Sequence, residues 1–415
     1  MNNAALGIST INQTPIGSGS YQLGREGNVA LPKVQPEECF RIEVLTSMAA
    51  ALPAWSAFER QALGTLYQSS VWCRAWAETA GRELNVTPQI IIARNSDHRI
   101  QFIIPLQLRR RQGIKVLEWL GAPHHNYGYG IFDPDFMADA AFWFEANWDR
   151  VLAEVGAFDA IALTEMPNRL FGFDNPLRGI ANMRAANPSF AMHLSRDFEP
   201  IHAQKKSAAR RRAARKHENG LAQAGHIGFG LPRGKAECRA LIDVMFDQQK
   251  DRLAELGIHG VFGARERQFV HRLAELQDED DPILAPYRLT CDGEVIAVML
   301  GGLHANCYWA LISSLAAGPL RKHSPGDLAL RRTIEACCQR GLSAFDFSAG
   351  ESSYKRAWAD EVITMSVVLR GRNLHGLLWA GAMALSIWAK RNVKRSPALL
   401  SLMHAARRIT LGRRS

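Results

Sequence analysis

The sequence predicts an α/β protein built from two copies of one fold. Hydrophobic residues make up 47% and charged residues 22% of the 415-residue chain, which is typical of a globular protein with a large core and excludes wholesale disorder. Strand-like and helix-like segments follow each other in two successive blocks, an order typical of α/β domains. We therefore divide the chain into a disordered leader (1–36), an N-terminal domain (37–200), a C-terminal domain (201–373) and a basic amphipathic tail (374–415).

The N-terminal domain begins with a helical pattern. Apolar residues that recur near one face predict a helix over 55–80. Two β-branched runs, 88–94 and 100–108, flank a polar turn and predict a hairpin. The further predicted elements are a strand over 115–120, a helix over 143–155 and a strand over 157–163.

The C-terminal domain begins with a long basic helix over 203–224. The dipeptide Asp292-Gly293 lies between two apolar runs and predicts a tight hairpin turn. The other predicted strands are 226–231, 306–314, 343–348 and 362–370, and the other predicted helices are 235–256, 264–277, one that ends at Gly341, and 352–359.

The basic charge of the chain is concentrated in two segments. Lys and Arg number 50 against 40 Asp and Glu, a formal net charge of +10. Ten basic and no acidic residues lie in 362–415, and seven basic and no acidic residues lie in 205–216. The rest of the chain is mildly acidic, so we do not expect a protein covered in DNA-binding surface, and no DNA partner is predicted.

Cysteine usage and the N-terminus predict a cytoplasmic protein. The seven cysteines are scattered, with no C-x-x-C pair and no zinc spacing. The N-terminus lacks the basic start and apolar run of a signal peptide. The pair His124-His125 has no third ligand at a suitable spacing, so no metal site is predicted.

The tail over 374–415 combines apolar residues with clustered Lys and Arg. Its longest apolar stretch, 376–389, is shorter than the ~18–20 residues that span a bilayer. Two interpretations stay open. One is an interfacial helix on the anionic inner face of the membrane, which would make the protein peripheral there. The other is a helix packed on the domain, followed by a solvated basic end.

A loop that precedes the predicted helix ending at Gly341 has the features of a phosphate site. Glycine before a helix lets backbone N–H groups and the positive end of the helix dipole face an anion, as in the pyrophosphate of coenzyme A. The alternative is a plain Pro-Gly turn into a helix. The candidate donor-binding residues are Arg321, Lys322, Ser324, Gly326, Asp327 and Leu328.

The next segment carries the candidate catalytic groups. Strand alternation places Phe345 and Phe347 on one face and Asp346 and Ser348 on the other. Gly350 ends the strand, and a helix that carries Tyr354 and Lys355 follows at once. Polar groups at the carboxyl end of a strand are typical of α/β active sites. The alternative is that Asp346 is a structural carboxylate and Lys355 a solvated helix residue.

These two segments resemble the CelD/BcsL-like acetyltransferases, bacterial members of the GNAT superfamily related to the FemAB/FemX transferases. The resemblance rests on Ser324-Pro325-Gly326-x-Leu328 and on Phe345-Asp346-Phe347-x-x-Gly350-x-x-x-Tyr354-Lys355-x-x-Trp358. It covers about 40–370 and is most specific over 321–358. In the first half it is weaker, since Asn126-Tyr127 matches an Asp-Tyr pair in the family. The resemblance implies two GNAT-like domains, each a mixed, mainly antiparallel sheet flanked by helices.

The resemblance also implies roles for individual residues. The acyl donor would lie between the strands 306–314 and 343–348, Lys355 would support the reacting carbonyl or the donor phosphate, and Tyr354 would protonate the leaving thiolate. The candidate bases are Asp346, Glu351 and His323, which are not ranked. The candidate substrate-binding residues are Tyr127, Trp309, His323 and Arg211.

The resulting hypothesis is an acyltransferase that moves an acyl group from acetyl-CoA or another acyl-CoA, a co-substrate rather than a tightly bound cofactor. The acceptor would be an amino or hydroxyl group of a sugar or lipid-linked sugar in exopolysaccharide or cellulose synthesis. The first alternative is a FemX-like transferase that uses aminoacyl-tRNA, with the basic helix on the RNA. The second is a catalytically silent, membrane-associated scaffold of polysaccharide synthesis.

Overall fold

The structure, a computed structural model, describes residues 40–257, 263–278 and 281–395. The predicted leader 1–36 and residues 396–415 of the predicted tail lie outside the described residues. The chain forms two mixed sheets, each mainly antiparallel and flanked by helices, so the predicted α/β class is confirmed.

The first sheet has eight strands, in the order β1-β2-β3-β4-β6-β17-β9 with β5 beside β3. Its strands are β1 (Arg41–Leu45), β2 (Thr87–Arg94), β3 (Ile100–Arg111), β4 (Ile114–Trp119), β5 (Ile131–Phe132), β6 (Ala160–Pro167), β9 (Met183–Arg184) and β17 (Met365–Gly371). Two further short strands, β7 (Arg169–Leu170) and β8 (Phe173–Asp174), pair with each other. The predicted hairpin over 88–108 is confirmed as β2 and β3.

The second sheet has seven strands, in the order β11-β12-β13-β14-β15-β10-β16. Its strands are β10 (Ser189–His193), β11 (Ile227–Gly230), β12 (Leu284–Cys291), β13 (Glu294–His304), β14 (Cys307–Leu315), β15 (Ala344–Ala349) and β16 (Glu361–Ile363). Asp292 and Gly293 both have positive φ and join β12 to β13, which confirms the predicted turn.

Ten α-helices cover the sheets within the described residues. They are α1 (Met48–Glu59), α2 (Ser70–Trp76), α3 (Met137–Ala153), α4 (Phe198–Lys205), α5 (Ala208–Ala224), α6 (Gly234–Glu255), α7 (Ala264–Leu276), α8 (Pro325–Gln339), α9 (Ser353–Trp358) and α10 (Leu374–Arg395). Short 3-10 helices cover Leu66–Gln68 and Pro319–His323, and a π-helical turn covers Ala77–Gly81.

Two predicted helices are interrupted. The single helix predicted over 55–80 is wrong, because the chain leaves α1 and bridges Leu63 to Phe132 before α2 begins. The Ser69 hydroxyl accepts a hydrogen bond from the Trp72 N–H and starts α2. The basic helix is likewise divided into α4 and α5, because Ser207 caps a new helix through the Arg210 N–H. Short polar caps of this kind are easily missed within an apolar pattern.

The two sheets repeat one topology and exchange their last strands. In each sheet four antiparallel strands lead to one parallel pair, β4 with β6 and β14 with β15. The strand that follows comes from the other half of the chain, β17 in the first sheet and β10 in the second. The predicted boundary between residues 200 and 201 stays a prediction, since β10 and β17 each pair across it.

The cores join the two halves. One hydrophobic cluster contains Trp55 and Trp119 from the first half together with Met245, Leu300 and Trp309 from the second. A second cluster lies between the second sheet and helices α4, α5 and α8. A third packs α10 onto β4, β6 and β17. Among the described helices, none combines the length and the apolar character needed to cross a bilayer.

Candidate active site

The second sheet opens into a wedge where its parallel pair separates. The pairing of β14 with β15 ends at Trp309 and Asp346. Beyond this point Leu311 is an extra residue in β14 relative to β13, so β14 bulges, and β15 continues only beside β10. The wedge lies between the two strands where the resemblance places the acyl donor, whose binding there stays a prediction.

Asp346 lies at the point of the wedge and is completely buried. Its Oδ2 accepts a hydrogen bond from the Tyr127 hydroxyl at 2.5 Å, and its Oδ1 accepts one from the Ser348 N–H at 2.7 Å. Strand alternation produces this placement, because Phe345 and Phe347 on the other face fill the second core. The carboxylate is held by two donors and is enclosed, so it is placed to position and polarise its neighbours.

A hydrogen-bonded chain crosses the wedge from the N-terminal half. Asn126 Nδ2 donates to the Tyr67 hydroxyl at 2.9 Å, and that hydroxyl lies 3.1 Å from Ser348 Oγ. Ser348 Oγ in turn donates to the Ala310 carbonyl, across the opening between β14 and β15. Burial, followed by the charge of Asp346, raises the pKa of Tyr67, so this phenol stays protonated and able to donate.

Lys355 reaches back from α9 over the end of β15. Its Nζ donates to the carbonyls of Ser348 at 3.1 Å and Ala349 at 2.9 Å. Burial lowers the pKa of Lys355 to about 8, and the charge of Asp346 partly opposes that shift. A half-buried ammonium beside an open wedge is a costly arrangement, and strongly shifted pKa values of this kind are enriched at functional sites.

The aromatic residues predicted to bind substrate pack between the two halves. Tyr127 and Trp309 are both fully buried, with their rings 5.3 Å apart and edge to face. The Trp309 Nε1 donates to the His304 carbonyl at 3.1 Å. These residues line the core behind the wedge, so the structure gives them a positioning contact with Asp346 and Tyr67, whose ring stacks on Tyr127.

Two predicted catalytic residues lie apart from this cluster. Glu351 is exposed and forms an ion pair with Arg356. Tyr354 is 47% exposed, and its ring contacts Phe347, which belongs to the second core. Burial raises the pKa of Tyr354. Their catalytic roles stay predictions, and the geometry places neither of them beside Asp346.

The predicted phosphate loop lies at the far end of β14. Trp309 and Leu315 are six residues apart, which corresponds to about 20 Å along the strand at ~3.3 Å per residue. Gly326 at the start of α8 approaches this end closely, since a Cβ there would lie 3.0 Å from Leu315 Cδ2. A donor that extended along β14 would therefore connect the loop with the wedge.

The charged groups of this loop are only partly available to an anion. Arg321 pairs with Glu255 at 2.7 Å and also donates to the Ala316 carbonyl at 2.9 Å. Pro325 has no N–H, and the Asp327 N–H donates to the Ser324 carbonyl at 3.0 Å. Lys322, Ser324 and Asp327 are exposed, whereas Leu328 is buried in the second core.

The basic helix α5 packs beside the loop. The ring of His323 lies so close to Gly220 of α5 that a Cβ at that glycine would be 2.4 Å from Nδ1. Arg211 lies at the start of α5, which contacts α8 and the 3-10 helix of the loop. The structure therefore groups Arg211 and His323 with the loop rather than with Asp346.

The His124-His125 pair is engaged in packing. His124 Nδ1 accepts from Trp76 Nε1 at 2.9 Å, and its Nε2 lies 3.0 Å from Glu266 Oε1. Burial lowers the pKa of His125 to about 4. No group of three potential metal ligands occurs within the residues that the structure describes.

Sequence reasoning missed Tyr67, and it named Ser348 only as a polar residue on the same strand face as Asp346. Tyr67 was assigned to a continuous core helix, and its contact with Ser348 joins residues 281 positions apart, which no local pattern reveals.

Comparison with known families identifies the region that contains the wedge. Residues 208–356 match the family described as an acetyltransferase (GNAT) domain. This segment is a GNAT-type acyltransferase domain. The GNAT domain includes β14, α8, β15 and Lys355, whereas β10, Tyr67 and Tyr127 come from outside the matched residues. A search of curated proteins found no match.

One solved structure supports the fold of most of the chain. A crystal structure of FemX superposes with a TM-score of 0.56 at 9% identity, covering 81% of this chain and 99% of FemX. The C-terminal DUF2156 domain of a putative lysylphosphatidylglycerol synthetase from Agrobacterium fabrum gives a TM-score of 0.49 at 10% identity, with 82% and 97% covered. At such identity the likeness to FemX concerns the fold alone, and the finer resemblance to CelD/BcsL-like enzymes stays a prediction.

Proposed function

We propose that the GNAT domain transfers an acyl group from acyl-CoA to an amino or hydroxyl group of a sugar or lipid-linked sugar in surface polysaccharide synthesis. One observation carries the proposal: β14 and β15 separate beside a half-buried Lys355 whose pKa is lowered to about 8. The family match over 208–356 supports acyl-CoA as the class of donor. The CelD/BcsL-like motifs support a polysaccharide acceptor.

The chemistry follows from the groups at the wedge. The acceptor nitrogen or oxygen attacks the thioester carbon, the C–S bond breaks, and the proton lost by the acceptor ends on the CoA thiol. Negative charge develops on the carbonyl oxygen, and the Lys355 ammonium is placed to stabilise it. Asp346 favours the charged form of Lys355. The Tyr127 hydroxyl and the Ser348 N–H both donate hydrogen bonds to the Asp346 carboxylate and keep it fixed during this step.

The test uses the purified protein and acyl-CoA. Acetyl-CoA should raise the melting temperature through mass action, and release of free thiol should depend on an added acceptor such as glucosamine. Mass spectrometry of surface glycan from cells with and without the protein then identifies the acylated sugar. Absence of both acetyl-CoA binding and thiol release would refute the acyl-CoA proposal.

A FemX-like reaction with aminoacyl-tRNA is the second candidate. Its specific support is the loop, where Arg321 is already paired and Asp327 donates its N–H within the loop, which weakens a pyrophosphate cradle. The exposed basic residues of α5 would suit an RNA backbone: Arg210, Arg212, Arg215 and Lys216. Co-purifying RNA that nuclease removes, together with aminoacyl transfer and no response to acetyl-CoA, would favour this candidate.

The tail helix supports an acceptor at a membrane. One face of α10 packs on the first sheet through Ala380 and its neighbours. The other face exposes five large apolar side chains, each 58–69% exposed: Leu374, Leu377, Leu378, Leu385 and Trp388. Lys390 and Arg391 follow on the same helix. The helix α10 is therefore packed on the domain, and its exposed apolar face also suits the surface of an anionic membrane.

A further inference from the structure

The first sheet contains a second wedge built in the same way as the first. The pairing of β4 with β6 ends at Glu118 and Ala162. Just beyond, β6 has two residues, Thr164 and Glu165, opposite one residue of β17. β15 has the same bulge opposite β10, at Phe347 and Ser348. The second wedge therefore has its own bulged strand at the same place in the topology.

Glu165 occupies the position that Ser348 holds in the GNAT domain. Each is the second residue of its bulge, and both have positive φ, +55° for Glu165 and +62° for Ser348. A positive φ at such a residue is strained, and strained residues cluster at functional sites. Ser348 lies at the centre of the hydrogen-bonded chain across the reaction wedge. By position, Glu165 is the corresponding side chain of the second wedge.

A cavity of about 450 Å³ lies in this second wedge. Its volume is within the usual range for small-molecule sites. The α10 helix forms one wall with Met383, Ile387 and Lys390. The polar lining includes Arg111, Glu118, Asn126, Thr164, Glu165 and Asn187, and Arg111 forms an ion pair with Glu118 at 2.8 Å.

The cavity reaches the back of the reaction cluster. Asn126 lines it and donates to the Tyr67 hydroxyl, which lies 3.1 Å from Ser348 Oγ. Ala349 also lines it, and the Ala349 carbonyl accepts from Lys355 Nζ at 2.9 Å. A molecule in the cavity would therefore lie beside Asn126 and Ala349, the two residues that are hydrogen-bonded to Tyr67 and Lys355.

We propose that this cavity is the acceptor site and that it takes an amine-bearing sugar. The inference rests on the proposed function. Carboxylate, amide and hydroxyl groups on one lining suit the many donors and acceptors of a sugar, and Glu165 is a match for an ammonium group. In this arrangement the donor enters from the GNAT wedge and the acceptor from the opposite side.

The experiment fills the cavity from two different elements. Ile387→Trp does so from α10 and Ala186→Trp from the loop before β10, and both positions line the cavity. Ala382→Trp, at an exposed position of α10, is the matched control. Each purified variant is compared with the wild type by the acetyl-CoA shift in melting temperature and by thiol release with glucosamine.

We expect both filled variants to keep the acetyl-CoA shift, while kcat/KM for glucosamine falls at least tenfold, mainly through KM. Ala382→Trp should match the wild type. A normal KM for glucosamine in either folded variant would overturn the inference, as would a wild type that binds acetyl-CoA but transfers nothing to glucosamine. If the wild type bound two acetyl-CoA molecules per chain and the filled variants bound one, the cavity would be a donor site and the inference would be wrong. A wild type that does not bind acetyl-CoA would refute the proposed function instead.

Discussion

Replacement of Lys355 tests the chemistry of the wedge most directly. The Lys355 ammonium donates to two backbone carbonyls at the end of β15, beside the wedge in which we propose that the donor binds. Lys355→Ala removes that charge and leaves Asp346, Tyr127 and Ser348 in position. If the ammonium stabilises the developing oxyanion, kcat/KM should fall by roughly 10²–10³, the effect of losing one oxyanion donor, or ~2.7–4 kcal/mol.

The pKa of Lys355 predicts the pH dependence. With a value of about 8, the side chain is about nine tenths charged at pH 7 and about one tenth charged at pH 9. An enzyme that needs the cation should therefore lose about tenfold in kcat/KM between these pH values. A rise in kcat/KM through pH 8 would mean that Lys355 acts as a neutral base. Lys355→Arg should not restore the activity, because a planar fork cannot replace a compact ammonium.

Stability should respond differently from activity. The pKa of Lys355 is lower in the folded state than in the unfolded chain, so protonation at neutral pH disfavours folding, and this cost disappears above the unfolded pKa. Lys355→Ala removes the cost together with two carbonyl hydrogen bonds, and these effects oppose each other. We therefore expect a small change in melting temperature.

The assay measures thiol release across pH 6–10 for the wild type, Lys355→Ala and Lys355→Arg, with melting temperatures of the same preparations. Arg356→Ala is the matched control, since Arg356 follows on α9 and its partner is the exposed Glu351. Near-normal turnover of Lys355→Ala would refute the reasoning. Lys355 would then only cap the end of β15, and the oxyanion would have to be stabilised by other groups.

Three further outcomes are expected. Gly326→Val should abolish the acetyl-CoA shift in melting temperature, because the valine side chain would displace Leu315 at the end of β14. Gly326→Ala is the control with a smaller side chain. An unchanged shift in Gly326→Val would mean that the loop is not part of the donor site. Tyr127→Phe should lower the free energy of unfolding in urea by ~1–3 kcal/mol, since it removes a donor from buried Asp346; an unchanged midpoint would contradict this. The double variant Leu378→Ser, Leu385→Ser should sediment less with phosphatidylglycerol vesicles than the wild type does. Salt at 1 M should weaken wild-type binding, because it shortens the Debye length to ~3 Å. Equal binding of the wild type to phosphatidylcholine vesicles would exclude an electrostatic contribution to membrane binding.

The double serine variant is preferable to deletion of the tail. From the sequence alone, removal of 374–415 is expected to leave the rest of the chain folded. The structure contradicts that expectation, because Ala380 is buried and Met383 and Ile387 pack with it against β4, β6 and β17. Deletion would expose this part of the first sheet, so a loss of vesicle binding could not be separated from unfolding.

Local signals were sufficient for most of the elements of the second sheet. Asp292-Gly293 specifies its own turn through two positive φ angles, and the alternation around Asp346 follows from the pleat of the strand. The predicted grouping of Asp346 with Lys355 needed only the strand end and the short helix that follows it. Residues close in sequence can be placed together from sequence, because the geometry between them is set by few backbone angles.

The remainder of the site depends on contacts that local sequence does not encode. Tyr67 meets Ser348 only because α2 is offset from α1 and the two halves share one core. β10 was not predicted as a strand at all, since its five residues carry no turn signal or alternation that distinguishes them. Glu165 reads as an ordinary strand residue, and its position becomes informative only when the bulge opposite β17 is seen.

The exchange of strands gives each wedge a shape that depends on the other half of the chain. The bulge at Ser348 exists because β15 pairs with β10, which precedes the GNAT domain. The bulge at Glu165 exists because β6 pairs with β17, which follows it. A shift of β15 or β6 by one residue would move Ser348 or Glu165 to the opposite face of its sheet. The two wedges are therefore held in fixed register with one another, and a donor in one and an acceptor in the other would meet at Tyr67, Ser348 and Lys355 without a movement of domains.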